Sequence, residues 1–327
     1  MHTRHVVSAR DLGLGFCREL FKRADEYRTR LDRDPTSCIT DLSGRVALLW
    51  FRQPSTRTLV SFEMAAVRLG MSVVQVIDPQ FSSEYKGESE DHSMRTVAGY
   101  RPDALIIRHN QEGGVARAAA SAARAFGGPV PVINAGDGKG EHPTQALIDV
   151  YTLLQLWNNG TQQDLSGAHI AIGGDLQGRV PRSLAFLLAD YGPEITFISA
   201  PELRVGEDVK EYLRTRDISF TEETEIDGTL QRAHFWYWTR TQNDQRTDKE
   251  KARLAHVDPR SMQLRLSHVR GMRKGAKILH PMPINRKPGD VSEIEPAIDD
   301  IDTAAYWQQS ANGLYVRMAV LQTLCSP

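Results

Sequence analysis

Ser55-Thr56-Arg57-Thr58 puts three hydroxyl groups and a guanidinium on four consecutive residues, shortly after the apolar run Val46–Phe51. A strand ending and a helix beginning at this point would present free backbone N–H groups and the positive end of a helix dipole, a setting that favours phosphate. Taken alone, the four residues also suit an ordinary N-cap, with Ser55 or Thr56 satisfying helix donors and Arg57 in solvent. Arg108-His109, His142-Pro143-Thr144-Gln145 and His280-Pro281-Met282-Pro283 stand at three further candidate strand ends. Open parallel sheets gather ligands at the carboxyl ends of their strands, so these loops could converge on one pocket. Singly, His142 could equally cap the helix that follows it.

The elements that must position these groups alternate. Val46–Phe51 and Val73–Ile77 read as strands flanking a helix whose apolar residues Leu59, Phe62, Ala66 and Leu69 keep helical spacing. Ala104–Ile107 then precedes an Ala-rich helix, Val115–Phe126, and Val130–Asn134 leads into a helix over Thr144–Trp157. After the polar stretch Asn158–Gly167 the alternation resumes: strands His169–Gly173, Ile195–Ser199, Phe235–Trp238 and Lys277–Leu279, with helices at Ser183–Tyr191 and Val209–Arg216. An amphipathic helix over Ala311–Leu324 closes the chain. The pattern predicts an α/β protein of two doubly wound parallel-sheet domains.

The chain has 327 residues, long for a single core and suited to two lobes. Forty Lys and Arg against 41 Asp and Glu leave a net charge of -1, so no nucleic-acid partner is expected and basic residues act site by site. Cys17, Cys38 and Cys325 form no close pair for zinc or redox chemistry, which fits a reducing cytoplasm and no metal. Met1–Arg10 lacks the apolar core of a signal peptide, and nothing approaches the roughly 20 apolar residues of a membrane span.

Phe51-Arg52-Gln53-Pro54-Ser55-Thr56-Arg57-Thr58 resembles the carbamoyl-phosphate signature of the aspartate and ornithine carbamoyltransferases. The resemblance covers nearly the whole chain. Ser82–Ser89, with Lys86-Gly87-Glu88, resembles the family's mobile loop, and Arg108–Gly113 and Asn134–Gly138 resemble its next segments. Gly174-Asp175-Leu176 with Arg179, Thr239-Arg240-Thr241-Gln242 and His280–Pro283 resemble its amino-acid-binding loops, and Tyr306–Gln309 the start of its closing helix. His280-Pro281-Met282-Pro283 is similar to the aspartate branch, since the ornithine branch carries His-Cys-Leu-Pro. The charge logic agrees, because Arg179 and Arg240 can each grip one carboxylate of a dicarboxylate.

The resemblance implies a carbamoyl-phosphate-binding domain, residues 1–146 with the helix 307–327, and an aspartate-binding domain, residues 147–306. It implies transfer of the carbamoyl group to the amine of L-aspartate, giving N-carbamoyl-L-aspartate and phosphate for de novo pyrimidine biosynthesis, without a cofactor. Ser55, Thr56, Arg57 and Thr58 would hold phosphate, and Arg108, His142 and Thr58 would polarise the carbonyl oxygen. Gln145 and the carbonyls of Pro281 and Met282 would orient the carbamoyl amino group; Lys86, Arg179, Arg240, Gln242 and Met282 would bind aspartate. Ser82 and Lys86 would reach a neighbouring subunit's site, making a homotrimer with shared active sites; without the family, Lys86 reads as a solvated surface charge. The resemblance also allows for regulatory or dihydroorotase-like subunits as partners.

Three departures concern the acceptor or domain closure. Gln53 stands where the aspartate branch carries glutamate, and Gln245 where a partner arginine is expected, with Arg246 adjacent. Closure would then rest on neutral hydrogen bonds or on another pair. The loop Asp175–Arg179 is one residue short, and Ile284–Asp290 carries extra residues. A different amine acceptor, or a catalytically silent scaffold, are the alternatives these departures leave.

Overall fold

The computed structural model describes residues 5–37, 39–77, 86–160, 162–242 and 246–326. Contacts divide the chain into two units, Met1–Leu147 with Asn312–Pro327, and Ile148–Ala311.

The first unit begins with α1 (Leu14–Arg33), whose buried residues Cys17, Leu20, Phe21, Ala24, Tyr27 and Leu31 recur at helical spacing. Then β1 (Val46–Phe51), α2 (Thr56–Arg68), β2 (Ser72–Ile77), α3 (Glu90–Gly99), β3 (Ala104–His109), α4 (Gly114–Ala122), β4 (Val132–Asp137) and α5 (Pro143–Leu156) alternate. The strands form one parallel sheet in the order β2-β1-β3-β4. β3 and β4 are buried along their whole length, as parallel strands covered on both faces must be, whereas the edge strand β2 is partly exposed. The direction of winding reverses between β1 and β3, whose ends pair as Phe51 with Arg108.

The second unit repeats the plan with β5 (His169–Gly174), α6 (Arg179–Leu188), β6 (Glu194–Ile198), α7 (Glu207–Thr215), β7 (Phe220–Glu223), β8 (Phe235–Thr239), α8 (Asp248–Leu254), α9 (Leu266–Gly271) and β9 (Lys277–Leu279). Its parallel sheet runs β7-β6-β5-β8-β9, so the reversal falls between β5 and β8. Trp236 and Trp238 point to one face of β8 and pack with Leu264, Ile278, Ile294 and Tyr306. That packing brings the Trp238 ring so close to β5 that a Cβ at Gly173 would lie 2.1 Å from it. Gly174 follows at φ +95, where a Cβ would meet the Thr239 carbonyl oxygen at 2.1 Å. The terminal helix α10 (Tyr306–Cys325) starts in this unit and ends in the first.

The α/β reading with two parallel sheets holds. Two elements differ from the sequence expectation in ways that matter. β4 starts at Val132 and runs on to Asp137, because Pro131 has no N–H to give the ladder while His109 still pairs with Asp137 beyond a register shift. α6 starts at Arg179 instead of Ser183, with Gly178 at its N-cap and Pro181 tolerated in the first turn. Helices α1, α3, α8 and α9 and strand β7 were not anticipated. Among the described residues, no helix is long and apolar enough to cross a membrane.

Candidate active site

Each unit places part of its candidate site where the strand order reverses, the crevice in which open α/β sheets bind ligands: Ser55 to Thr58 with Arg108 in the first, Arg179 with Arg240 in the second, while His142 follows β4 and His280 follows β9. In the first unit, the β1–α2 turn carries Ser55 to Thr58. Ser55 is the N-cap residue of α2, with extended backbone, yet its hydroxyl makes no capping bond, so the plain N-cap reading does not describe it. Thr56 and Arg57 are exposed and Thr58 is buried on the first turn. The Arg52 N–H donates to the Arg108 carbonyl at 2.9 Å, which ties this turn to the end of β3. Arg108 is buried, and its Nη1 donates to the Ala135 carbonyl at 2.8 Å, which fixes the guanidinium across the carboxyl ends of β3 and β4.

The loop carrying His142 and Gln145 hangs from Asp137. The Asp137 carboxylate accepts the N–H of Gly113 at 3.1 Å and of Glu141 at 2.6 Å, and Gly138 N–H donates to the His109 carbonyl at 2.9 Å. The Glu141 side chain in turn accepts the Ser8 hydroxyl and the Ala9 N–H, both at 2.7 Å. Burial pushes the Glu141 carboxyl above its ordinary value despite these donors. His142 is buried with Nδ1 3.4 Å from Thr144 Oγ1, and its carbonyl accepts the N–H of Gln145 at 2.9 Å. The ring sits beside the first turn of α5, with Gln145 half-buried.

A charged network that sequence reasoning missed lies next to these groups. His109 Nδ1 accepts the Gln111 N–H at 2.9 Å, and its Nε2 lies 3.1 Å from Glu90 Oε1 and 2.6 Å from Arg52 Nη1. Arg52 Nη1 approaches Glu90 Oε2 at 3.2 Å. The hydrogen bond from His109 holds the Glu90 carboxyl below its ordinary value. Glu90 begins α3, so the network pins the helix that follows Lys86, which is itself exposed. Ser82 lies outside the described residues.

In the second unit, Arg179 opens α6 and is buried, while Arg240 and Gln242 follow β8 and are half-buried. Asp175 joins the two loops. Its carboxylate accepts the N–H of Gln177 at 3.3 Å and of Gln242 at 3.0 Å, and its carbonyl accepts the Thr239 hydroxyl at 3.0 Å. Arg246 forms a two-pronged ion pair with the same carboxylate at 2.7 and 2.8 Å. Gln245 lies outside the described residues. Met282 adopts a left-handed backbone, φ +55, and its N–H donates to His280 Nδ1 at 2.8 Å. His280 Nε2 reaches Glu293 at 2.9 Å, and the His280 N–H donates to Gln309, whose amide donates to buried Asp149 at 2.7 Å. The Pro281–Met282 loop is therefore fixed at both its histidine and its backbone. The same Glu293 carboxylate accepts the Asn285 N–H, so the residues inserted after Ile284 are anchored to it.

Comparison with known proteins also finds two parts in the chain. Residues 4–155 match the family model described as aspartate/ornithine carbamoyltransferase, carbamoyl-P binding domain, and residues 166–324 match the corresponding Asp/Orn binding domain. The chain is 36% identical over 323 residues to the aspartate carbamoyltransferase catalytic subunit of Methanothrix thermoacetophila, covering 98% of both chains. It is 38% identical over 331 residues to the chloroplastic aspartate carbamoyltransferase of Oryza sativa subsp. japonica, covering 98% of this chain and 84% of the relative. Its structure is similar to that of Trypanosoma cruzi aspartate transcarbamoylase in complex with carbamoyl phosphate and aspartate, with a TM-score of 0.87, 28% identity, and coverage of 98% and 96%. The catalytic subunit of M. jannaschii aspartate transcarbamoylase is similar at a TM-score of 0.81 and 33% identity, with 98% of each chain covered.

The His280–Glu293 pair predicts a pH dependence. Burial alone would raise the Glu293 carboxyl, but the hydrogen bond with His280 holds it below its ordinary value. A depressed folded value means that the pair's stabilisation is complete above the unfolded carboxylate range and is lost as pH falls through the folded value. Glu293→Gln is therefore expected to melt below wild type at neutral pH, with the gap shrinking below about pH 4. A gap in melting temperature that stays constant with pH would show that the carboxylate's charge is not what matters.

Proposed function

This chain belongs to the aspartate/ornithine carbamoyltransferase family, and on that premise we propose how its two strand-end half-sites divide the work of the reaction. The reaction is transfer of the carbamoyl group from carbamoyl phosphate to the amine of L-aspartate, giving N-carbamoyl-L-aspartate and phosphate, a step of pyrimidine biosynthesis. The observation that carries the residue assignment is the Ser55 hydroxyl, which makes no capping bond at the N-terminus of α2 and lies one strand away from buried Arg108. An anion-binding turn facing a fixed cation suits a phosphate on one side and a developing oxyanion on the other.

In the proposed mechanism Ser55, Thr56, Arg57 and Thr58 hold the phosphate of carbamoyl phosphate. Arg108, His142 and Thr58 stabilise the carbonyl oxygen as the amine adds to the carbon and negative charge develops there. Gln145 and the carbonyls of Pro281 and Met282 take the carbamoyl amino group, a role that their fixed loop supports. Arg179 and Arg240 each receive one carboxylate of aspartate, with Gln242, Met282 and Lys86 completing the acceptor site. The C–N bond forms, the carbon–oxygen bond to phosphate breaks, and the departing phosphate takes the amine's proton. Holding both reactants in line is a term that can supply roughly 7 to 11 kcal/mol of barrier reduction.

The assembly proposed is a homotrimer in which Ser82 and Lys86 complete a neighbour's site. Val60, Met64 and Val67 form an exposed apolar stripe at helical spacing on α2, and Val74 and Ile77 on the edge strand β2 are also close to half exposed. Ile77 leads directly into the segment that contains Ser82. A cyclic trimer would cover such a face. The proposed compartment is the cytoplasm, which suits the buried free thiols of Cys17 and Cys325.

Purified protein is expected to form carbamoyl-aspartate from carbamoyl phosphate and L-aspartate, read by product mass and phosphate release across a panel of amines. Arg57→Ala should lower kcat/KM by roughly two to three orders of magnitude through lost phosphate contacts. Full activity in that variant would overturn the cradle assignment, and inactivity of folded wild type would favour a silent scaffold. For the assembly, sedimentation should give three chains for wild type and a smaller species for Val67→Lys; a trimer that survives this change would remove α2 from the interface.

A further inference from the structure

We propose that Arg246 is a positioning residue for the amino-acid acceptor, acting through Asp175 to hold the loop that carries Arg240 and Gln242. The inference rests on reading the second unit as the acceptor-binding half. Asp175 lies 1% exposed and Arg246 6% exposed by side chain, so this is a desolvated ion pair. Arg246 Nη1 and Nη2 take one carboxylate oxygen each, at 2.7 and 2.8 Å. The oxygen that accepts Nη1 also accepts the Gln242 N–H, at 3.0 Å. Arg246 and Gln242 thus share one anchoring atom, and whatever moves that oxygen moves the backbone of Gln242.

The second link is steric. Gly178, the N-cap of α6, approaches the Gln242 side chain so closely that a Cβ there would lie 2.9 Å from Nε2. The next residue is Arg179. The spacing between the Arg179 turn and the Arg240 loop is therefore set by Asp175 on one side and by the Gly178–Gln242 contact on the other. Thr239, whose hydroxyl bridges the carbonyls of Gly173 and Asp175, closes the same junction from the strand side.

The third consideration is charge. The acceptor is a dianion, and an unneutralised buried carboxylate beside its loop would repel it. Arg246 cancels that charge with good geometry. The family pattern expects an arginine at position 245, which is glutamine here; the arginine at 246 is committed to Asp175. Asp175 and Arg246 are 71 residues apart in sequence, so only the fold reveals the pair.

The test is steady-state kinetics of Arg246→Gln, Arg246→Lys and the neutral double variant Asp175→Asn with Arg246→Gln, with Arg240→Ala as the control for the acceptor site. Arg246→Gln should raise KM for aspartate by about tenfold or more while KM for carbamoyl phosphate stays within about twofold. Arg246→Lys, which keeps the charge but not the two-pronged geometry, should fall between wild type and Arg246→Gln. The double variant, with no buried unpaired charge, should also be intermediate. An unchanged aspartate KM in a folded Arg246→Gln would overturn the proposal, as would a fall in kcat with neither KM moved, which is the mark of a merely structural pair. If Arg246→Gln does not fold, Arg246→Lys is decisive, since a wild-type aspartate KM there overturns the proposal and a raised one supports it. Arg240→Ala with unchanged aspartate KM would instead strike the acceptor-site reading on which this inference rests.

Discussion

A buried carboxylate at the end of a parallel strand is the constraint on which both halves of this protein depend. Asp137 closes β4 and Asp175 follows β5, and each is almost wholly removed from water. An ionised carboxylate in such a place is costly unless donors surround it. Asp137 collects the N–H groups of Gly113 and Glu141, and Asp175 those of Gln177 and Gln242 together with the guanidinium of Arg246. Each aspartate thereby fastens two loops that sequence alone would leave independent. Those loops carry the groups assigned to the ligands.

The consequence is a division between what is fixed and what is offered. The buried strands β3 and β4, and the bonded carbonyls of Arg108, Ala135 and His109, form a stiff floor. Above it, Ser55, Thr56 and Arg57 sit at the surface of a helix N-terminus. In the second unit the floor is the close contact of β5 with β8, which only glycine at 173 and 174 permits. Arg240 and Gln242 emerge from that contact half-buried. Binding groups held by backbone hydrogen bonds need little reordering when a ligand arrives, and this limits the entropic cost of assembly.

Much of this arrangement was legible in the sequence because the ligand loops are short, polar and placed after apolar runs. Ser55–Thr58, Arg108 and His142 could be located at strand ends without coordinates. The supporting partners could not. Glu90, Arg52 and His109 belong to three elements, and Asp149, Gln309 and His280 to three others, so no local spacing announces either network. Helix α1 was not anticipated, although its buried residues Cys17, Leu20, Phe21, Ala24 and Leu31 recur at helical spacing. The early start of α6 was missed because Pro181 reads as a breaker, although a first-turn proline is compatible with a helix, and this is what makes Arg179 its opening residue.

The central claim, that the donor lies at the β1–β3 reversal and the acceptor at the β5–β8 reversal, is tested most directly by a crystal structure with a bisubstrate analogue joining a phosphonate to a dicarboxylate. The account predicts the phosphonate against Ser55, Thr56, Arg57 and Thr58, near Arg108, with the two carboxylates on Arg179 and Arg240. A phosphonate bound away from the N-terminus of α2, or carboxylates that engage neither arginine, would contradict it.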